Sequence, residues 1–383
     1  MTRFCILGPT YPYRGGIAHY TTLLARHLRA EVDNEVLLLS FSRQYPSWLF
    51  PGKSDKDPSK RPLKSEAEYV LDPINPLTWR RTLKRVSQFQ PDVVIIPWWH
   101  PYFAPVWGVL SRSIKRLEYH PKLIFICHNV LPHEQSKLSQ RILPFIIKWT
   151  LQKGDKFIVH ATSDKEILET ILPDKEICVT PHPTYEELGS TEDVELPVIL
   201  PEDRPILLFC GLIRPYKGLD VLLDAFALAL QERPLHLVVA GEFWKGSRPQ
   251  YEAQIEKLGI SEDVTIIDDY LPDELFTAFI DRADVVVLPY KSATQSGVIQ
   301  AAFGRNTPVI TTNVGGLAEV VADGITGFVV PANSANDLAV TINAYFEGDN
   351  NLAQDMGNAI ARENGRFSWD LLIQNQTEGT IYE

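Results

Sequence analysis

The stretch Ile206–Phe226, ILLFCGLIRPYKGLDVLLDAF, decides how the rest of the chain is read. Ile206–Cys210 is a short apolar run, as expected of a parallel strand buried on both faces. Gly211 then releases the chain into a turn that carries Arg214, Pro215, Tyr216 and Lys217. From Leu219, the residues Leu222, Leu223, Phe226 and Leu230 recur at helical spacing. The unit is strand, cation-bearing loop, helix. It presents unpaired backbone N–H groups at a helix start with two long cations beside them, a place that attracts phosphate. Taken alone, the loop fits an ordinary βα connection with solvated cations just as well.

The bulk numbers set the frame. At 383 residues the chain exceeds what one hydrophobic core serves, so two domains are expected. With 45% hydrophobic and 22% charged residues there is material for two sizeable cores. No apolar run approaches the roughly 20 residues of a membrane span, and the first thirty residues lack a signal peptide's build, so a cytoplasmic protein is expected. Cys5, Cys127, Cys178 and Cys210 each sit in or beside an apolar run without paired spacing. They read as buried thiols, not as a disulfide frame or a metal site.

The net charge of −11 hides an asymmetry: Met1–Thr150 carries 21 Lys+Arg against 11 Asp+Glu. A basic front half suggests an anionic partner, such as the inner face of a membrane or a lipid-linked phosphate, contacted peripherally. The competing reading places several of those cations, among them Lys53, Lys56, Lys60, Arg61 and Lys64, in one solvated loop.

Along the chain, strands and helices alternate. Phe4–Leu7 is a strand, Gly15-Gly16 a tight turn, Ile17–Leu28 a helix and Glu35–Ser40 a strand, the opening of a nucleotide- or sugar-binding α/β domain. Arg43–Asn75 is polar, basic and proline-rich, and reads as a long irregular excursion. Further strands are expected at Asp92–Pro97, Leu123–Cys127, Lys156–His160 and Ile177–Pro181. Ser139–Gln152 reads as a core helix or as one in contact with a bilayer. Residues 1–185 form the first domain, 186–204 an acidic linker and 205–365 a second α/β domain. A final helix over 366–383 crosses back to the first. Ligands of such sheets bind at the carboxyl ends of the strands, so a cleft between two Rossmann-like α/β domains is expected there.

Against those strand ends the candidate groups converge. The front half supplies Gly15, Gly16, His100 and the pair His128-Asn129, with Trp98, Trp99 and Tyr102 able to stack on sugar rings and His133 nearby. The back half supplies Gly211, Arg214, Lys217, Gly241, Glu242, the run Thr294-Gln295-Ser296-Gly297 at a helix start, and Gly315-Gly316 with Glu319. A single histidine after a strand is commonly a hydrogen-bonded loop residue, and His19, His160 and His182 have no supporting neighbours in sequence.

In this order the motifs resemble glycosyltransferase family 4, the retaining enzymes of GT-B fold. The resemblance rests on the Gly15-Gly16 loop, GLIRPYKG with Arg214 and Lys217, ADVVVLPY, and TPVITTNVGGLAEVVADGITGFVV. It implies an α/β fold of two domains facing each other across a cleft. It also implies transfer of a sugar from a nucleoside-diphosphate sugar to a hydroxyl acceptor, with a lipid-linked glycan or polysaccharide intermediate as the expected acceptor. Arg214 and Lys217, completed by the N–H groups of Gln295–Gly297, would hold the diphosphate. Gly16 would admit the donor closely, and His100 and His128 would contact sugar and acceptor. No cofactor and no metal are expected beyond the donor itself. The family pattern places two glutamates at positions held here by Ala293 and Ala301; Thr294, Gln295 and Gln300 are the polar neighbours. A nucleotide-sugar epimerase of the same fold would need a carboxylate cluster that is not found. A silent scaffold would be expected to lose Arg214 and Lys217, which are present.

Overall fold

The computed structural model describes residues 1–46, 54–132, 137–189, 194–347 and 352–377. The chain divides into two compact units. The first comprises Met1–Asp57, Leu63–His182 and the segment from Ser368; the second comprises Pro58–Pro62 and Pro183–Phe367.

The first unit is built on seven strands: β1 Thr2–Leu7, β2 Asn34–Phe41, β3 Glu68–Leu71, β4 Val93–Trp98, β5 Lys122–Cys127, β6 Lys156–Val159 and β7 Glu176–Val179. Its helices are α1 Gly16–Ala30, α2 Pro76–Phe89, α3 Ala104–Ile114, α4 Lys137–Leu151 and α5 Thr162–Ile171. The strands lie parallel in the order β3-β2-β1-β4-β5-β6-β7. β1, β4 and β5 are buried nearly throughout because helices cover both faces of a parallel sheet. Pro97 is tolerated in β4 because the β1 pairing stops at Ile95, leaving its missing N–H on an unpaired edge.

The second unit repeats the plan with β8 Ile206–Cys210, β9 His236–Ala240, β10 Val264–Ile267, β11 Val285–Leu288, β12 Val309–Thr312 and β13 Gly327–Val330. They are parallel in the order β10-β9-β8-β11-β12-β13. Its helices are α6 Leu219–Ala229, α7 Arg248–Leu258, α8 Asp273–Arg282, α9 Gly297–Phe303, α10 Leu317–Val320, α11 Ala335–Glu347 and α12 Leu352–Glu363. The last helix, α13 Trp369–Thr377, belongs to the first unit, where Trp369 packs on Tyr20 and stacks on His27.

Three local differences from the sequence reading have physical causes. The excursion expected over 43–75 contains β3, an edge strand whose few inward residues give no apolar run, held by paired bonds from the Arg85 guanidinium to Glu68. Residues 183–189 and 194–204 are part of the second unit because Tyr185, Leu188 and Leu200 are buried among the acids that made the segment look like a linker. Cys178 is half-buried, whereas the other three cysteines are buried.

Candidate functional site

In each sheet the strand order reverses at one point, between β1 and β4 in the first and between β8 and β11 in the second. At such a point the chain leaves neighbouring strands in opposite directions and opens a crevice at their carboxyl ends. In the second unit the two loops flanking that crevice are Gly211–Gly218 and Pro289–Ser296, which hold most of the donor-binding candidates.

The Gly211–Gly218 loop is built tightly. A Cβ at Gly211 would stand 3.0 Å from the Lys217 Nζ, so the ammonium lies directly over that glycine. Gly218 has φ 73°, and any side chain there would meet the Pro289 carbonyl at 2.0 Å. Lys291 N–H donates to the Tyr216 carbonyl (2.7 Å), joining the two flanking loops. Gly241 closes against the Gly211 carbonyl, and Ile213 N–H donates to the carbonyl of buried Glu242. Lys217 is 8% exposed and lies 5.3 Å from the centre of the Tyr290 ring. Burial lowers its pKa, Tyr216 and Cys210 oppose the shift, and the Arg214 charge adds to it. Arg214 lies over the Trp244 ring with its Nε buried and without an acceptor among the described residues. Among the described residues neither cation forms an ion pair.

Opposite, Ala293 and Thr294 are clamped by the glycine pair after β12. Gly316 N–H donates to the Thr294 carbonyl (2.9 Å), and a Cβ at Gly315 would meet the Ala293 carbonyl at 1.8 Å. Ser296 is the extended residue before α9; its carbonyl accepts from Ile299 N–H (3.1 Å), and the N–H groups of Gly297 and Val298 precede the first intrahelical bond. Ala293 and Ala301 are buried, and the neighbouring Gln300, 1% exposed, has neither amide atom paired among the described residues. Glu319 stands on α10, its carbonyl accepting from the Arg366 guanidinium.

In the first unit Gly15 has φ 101°, open space around its Cβ position, and a carbonyl that accepts from Ala18 and His19 as α1 begins. His100 is exposed and uses Nδ1 to accept from Tyr102 N–H (3.1 Å), capping the turn Pro101–Phe103. Trp98, expected at the acceptor, is instead wholly buried at the end of β4 with its indole N–H toward the Val130 carbonyl; side-chain alternation turns it into the core. Trp99 and Tyr102 remain half-buried, Trp99 donating to the Tyr45 hydroxyl (3.2 Å) and Tyr102 stacked on the Tyr45 ring. Asn129 is half-buried after β5. His133 lies outside the described residues.

His128 gains unexpected company. His160 and His182, unsupported in sequence, lie beside it at the ends of neighbouring strands, and Tyr20 of α1 touches all three rings. Burial drives the His128 pKa well down, with His160 and His182 adding to it. Burial also takes His160 to about 4, opposed by its bond to the Thr180 carbonyl. Both of these rings therefore stay neutral at ordinary pH. Sequence reasoning missed Trp244, the aromatic partner of Arg214, and gave no role to Tyr290, the partner of Lys217 two residues beyond β11.

Residues 14–186 match the family described as Glycosyltransferase Family 4, and residues 195–363 match that described as Glycosyl transferases group 1. A D-inositol 3-phosphate glycosyltransferase from an Arthrobacter species is 33% identical, covering 93% of this chain and 87% of its own. The protein of the same name from Kribbella flavida is 25% identical over 94% of this chain and 89% of its own. Among solved structures, sucrose-phosphate synthase from Thermosynechococcus elongatus superposes with a TM-score of 0.74 at 19% identity, covering 100% of this chain and 99% of its own. Anabaena HepE in complex with UDP gives 0.71 at 17% identity, covering 99% of each chain. At that identity the structural likeness is one of fold.

Proposed function

The chain belongs to glycosyltransferase family 4 and is a glycosyltransferase of GT-B fold; from that premise we propose that it moves a sugar from a nucleoside-diphosphate donor held by Arg214 and Lys217. The observation that carries this reading is the pair of neighbouring cations, one buried and one partly so, at the strand-order switch of the second unit, without an ion pair among the described residues. A buried ammonium with a second cation beside it asks for an anion to share. The departing diphosphate gains charge in the transition state, and fixed cations with helix-start N–H groups stabilise it there. The anomeric configuration is retained, as the family implies. His128 with Asn129, and His100, are the first unit's contacts to sugar and acceptor. With two cations serving the diphosphate, a chelator is expected to leave turnover unchanged.

The acceptor is a hydroxyl on a lipid-linked glycan or polysaccharide intermediate, and the names of the relatives add D-inositol 3-phosphate to the panel to be screened. A peripheral membrane contact goes with the lipid-linked class. It is supported by α2, α3 and α4, neighbouring helices with eight Lys and Arg and no Asp or Glu. No helix among the described residues is long and apolar enough to cross a membrane.

The deciding experiment is Lys217→Ala assayed with UDP-, GDP-, ADP- and CMP-sugars. Turnover with the preferred donor is expected to fall at least about a hundredfold, the scale of losing a transition-state charge partner. A folded variant with unchanged turnover overturns the assignment.

A further inference from the structure

A strap of five residues, Pro58–Pro62, belongs to the second unit although its neighbours in sequence belong to the first. It is seated on the first turn of α8, where Pro272 holds the capping position and has no side-chain acceptor to offer. Buried Ser59 takes that role. Its Oγ accepts from Asp273 N–H (2.8 Å), and the Glu274 carboxylate accepts from Lys60 N–H (3.0 Å). The exchange is that of a capping box, with the serine supplied from 214 residues away. It fixes the backbone at Lys60 and leaves Lys60 and Arg61 exposed.

A second wall comes from the segment around Glu195, which is held on either side. Before it, Gly189 (φ 59°) closes on the start of α8, where a Cβ would stand 2.5 Å from the Asp273 carbonyl oxygen. After it, the Arg282 guanidinium donates to the Pro201 carbonyl (2.7 Å), and Leu200 is buried. Strap, segment and helix start frame a cavity of about 750 Å³, and every residue that lines it belongs to the second unit. That volume lies within the range of small-ligand clefts. α8 follows β10, the edge strand two places from β8, and no lining residue comes from the Gly211–Gly218 or Pro289–Ser296 loops.

The lining carries two positive groups, Lys60 and Arg61, and two negative ones, Glu195 and Glu274, so its charges cancel. Exposed Lys60 and Arg61 only donate hydrogen bonds, and the exposed Glu195 carboxylate only accepts them. Val194, Pro197 and Leu275 add apolar surface. An anion entering here meets carboxylates as well as cations and gains little net attraction. A sugar hydroxyl both donates and accepts, and the C–H faces of a sugar ring suit the apolar wall. We propose that this cavity is a second carbohydrate site, taking a neutral, hydroxyl-rich ligand such as a stretch of the glycan on which the enzyme works. The family-4 transferase reading supplies the source of that ligand; the site itself rests on the cavity and its lining.

The test is calorimetric and saturation-transfer NMR titration of the full chain, with the preferred nucleoside diphosphate present to fill the phosphate site. The probes are glucose, maltotriose and glucose 6-phosphate. We expect maltotriose to bind in the millimolar range and more tightly than glucose, and glucose 6-phosphate to bind no more tightly than glucose. Arg61→Ala and Glu195→Ala, both at exposed positions, should each weaken maltotriose binding about tenfold, the scale of losing a hydrogen bond to a charged group. Both variants should keep the diphosphate affinity of the parent, because Arg214 and Lys217 are untouched. Lys217→Ala should bind maltotriose as the parent does. Maltotriose that fails to bind, or binds equally well to both lining variants, overturns the inference. Glucose 6-phosphate that binds far more tightly than glucose, and loses that advantage in Arg61→Ala, also overturns it and makes the cavity a phosphate site. A parent protein that binds no nucleoside diphosphate overturns the transferase reading instead, and the maltotriose titrations still decide the cavity.

Discussion

The guanidinium of Arg214 lies 3.7 Å above the centre of the Trp244 ring, so a residue from the loop after β9 holds a cation from the loop after β8. Cation–π contact of this kind contributes about 0.5–2 kcal/mol, and a planar guanidinium held flat loses little further freedom when it meets a phosphate. Trp244→Leu should therefore weaken nucleoside-diphosphate binding by about three- to thirtyfold while leaving the thermal midpoint near that of the parent protein. Isothermal titration with the diphosphate checks this; unchanged affinity would mean that Arg214 needs no support.

Gln300 offers a prediction with two opposite signs. Neither of its amide atoms is paired among the described residues, and an unsatisfied buried polar group costs about 1–3 kcal/mol. Gln300→Leu, similar in size, should raise the stability of the ligand-free protein by about 1 kcal/mol. If the amide meets the donor or a water that touches it, the same change should lower donor kcat/KM by about tenfold. Urea unfolding and donor kinetics on one preparation give both readouts. A variant that loses stability shows that the amide has a partner in the free protein.

The buried histidines set the acid limit of the first unit. His160 titrates at about 4 in the folded chain, against an ordinary value of 6.5. Between those values the unfolded chain binds more protons, so stability is full above about pH 6.5 and is lost as pH falls toward 4. By pH 5 the loss from His160 alone is about 2 kcal/mol, and His128 shifts in the same direction. Urea midpoints at pH 7 and pH 5 should show the fall, and His160→Phe should reduce it.

The parts of this molecule that could be read in advance are those written in contiguous sequence. GLIRPYKG carries strand end, turn and cations within a few residues, and the structure keeps Arg214 and Lys217 at the switch of the second sheet. The histidine cluster was not legible, because His128, His160 and His182 become neighbours only when β5, β6 and β7 lie side by side. Trp98 misled because it stands in an aromatic run, Trp98-Trp99 with Tyr102 and Phe103, whose composition suits sugar stacking. Strand alternation sends Trp98 into the core and leaves Trp99 at the edge. β3 escaped notice because an edge strand needs hydrogen bonds and apolar packing on one side only.

The basic helical layer of the first unit makes the last prediction. On α4, Ile142, Phe145 and Trp149 recur along one outward face, with Phe145 75% exposed, and Val109 of α3 extends the strip. Trp149 lies flat on α3 because Gly108 has no side chain; a Cβ there would stand 2.1 Å from the indole ring. The Arg112 guanidinium covers that ring at 4.3 Å, while Arg141 and Lys148 stand exposed beside it, and α2 adds exposed Arg80, Arg81 and Lys84. Apolar side chains rimmed by cations suit the headgroup region of an anionic bilayer, where burial and charge attraction act together. Co-sedimentation with vesicles containing phosphatidylglycerol should therefore exceed that with pure phosphatidylcholine and fall steeply with added salt. Phe145→Gln with Trp149→Gln removes the inserted part and leaves the cations in place, so binding should drop by about tenfold or more at low salt. Equal binding to both vesicle types, or a double variant that binds as the parent does, assigns this face to some other partner and removes the peripheral contact from the proposed function.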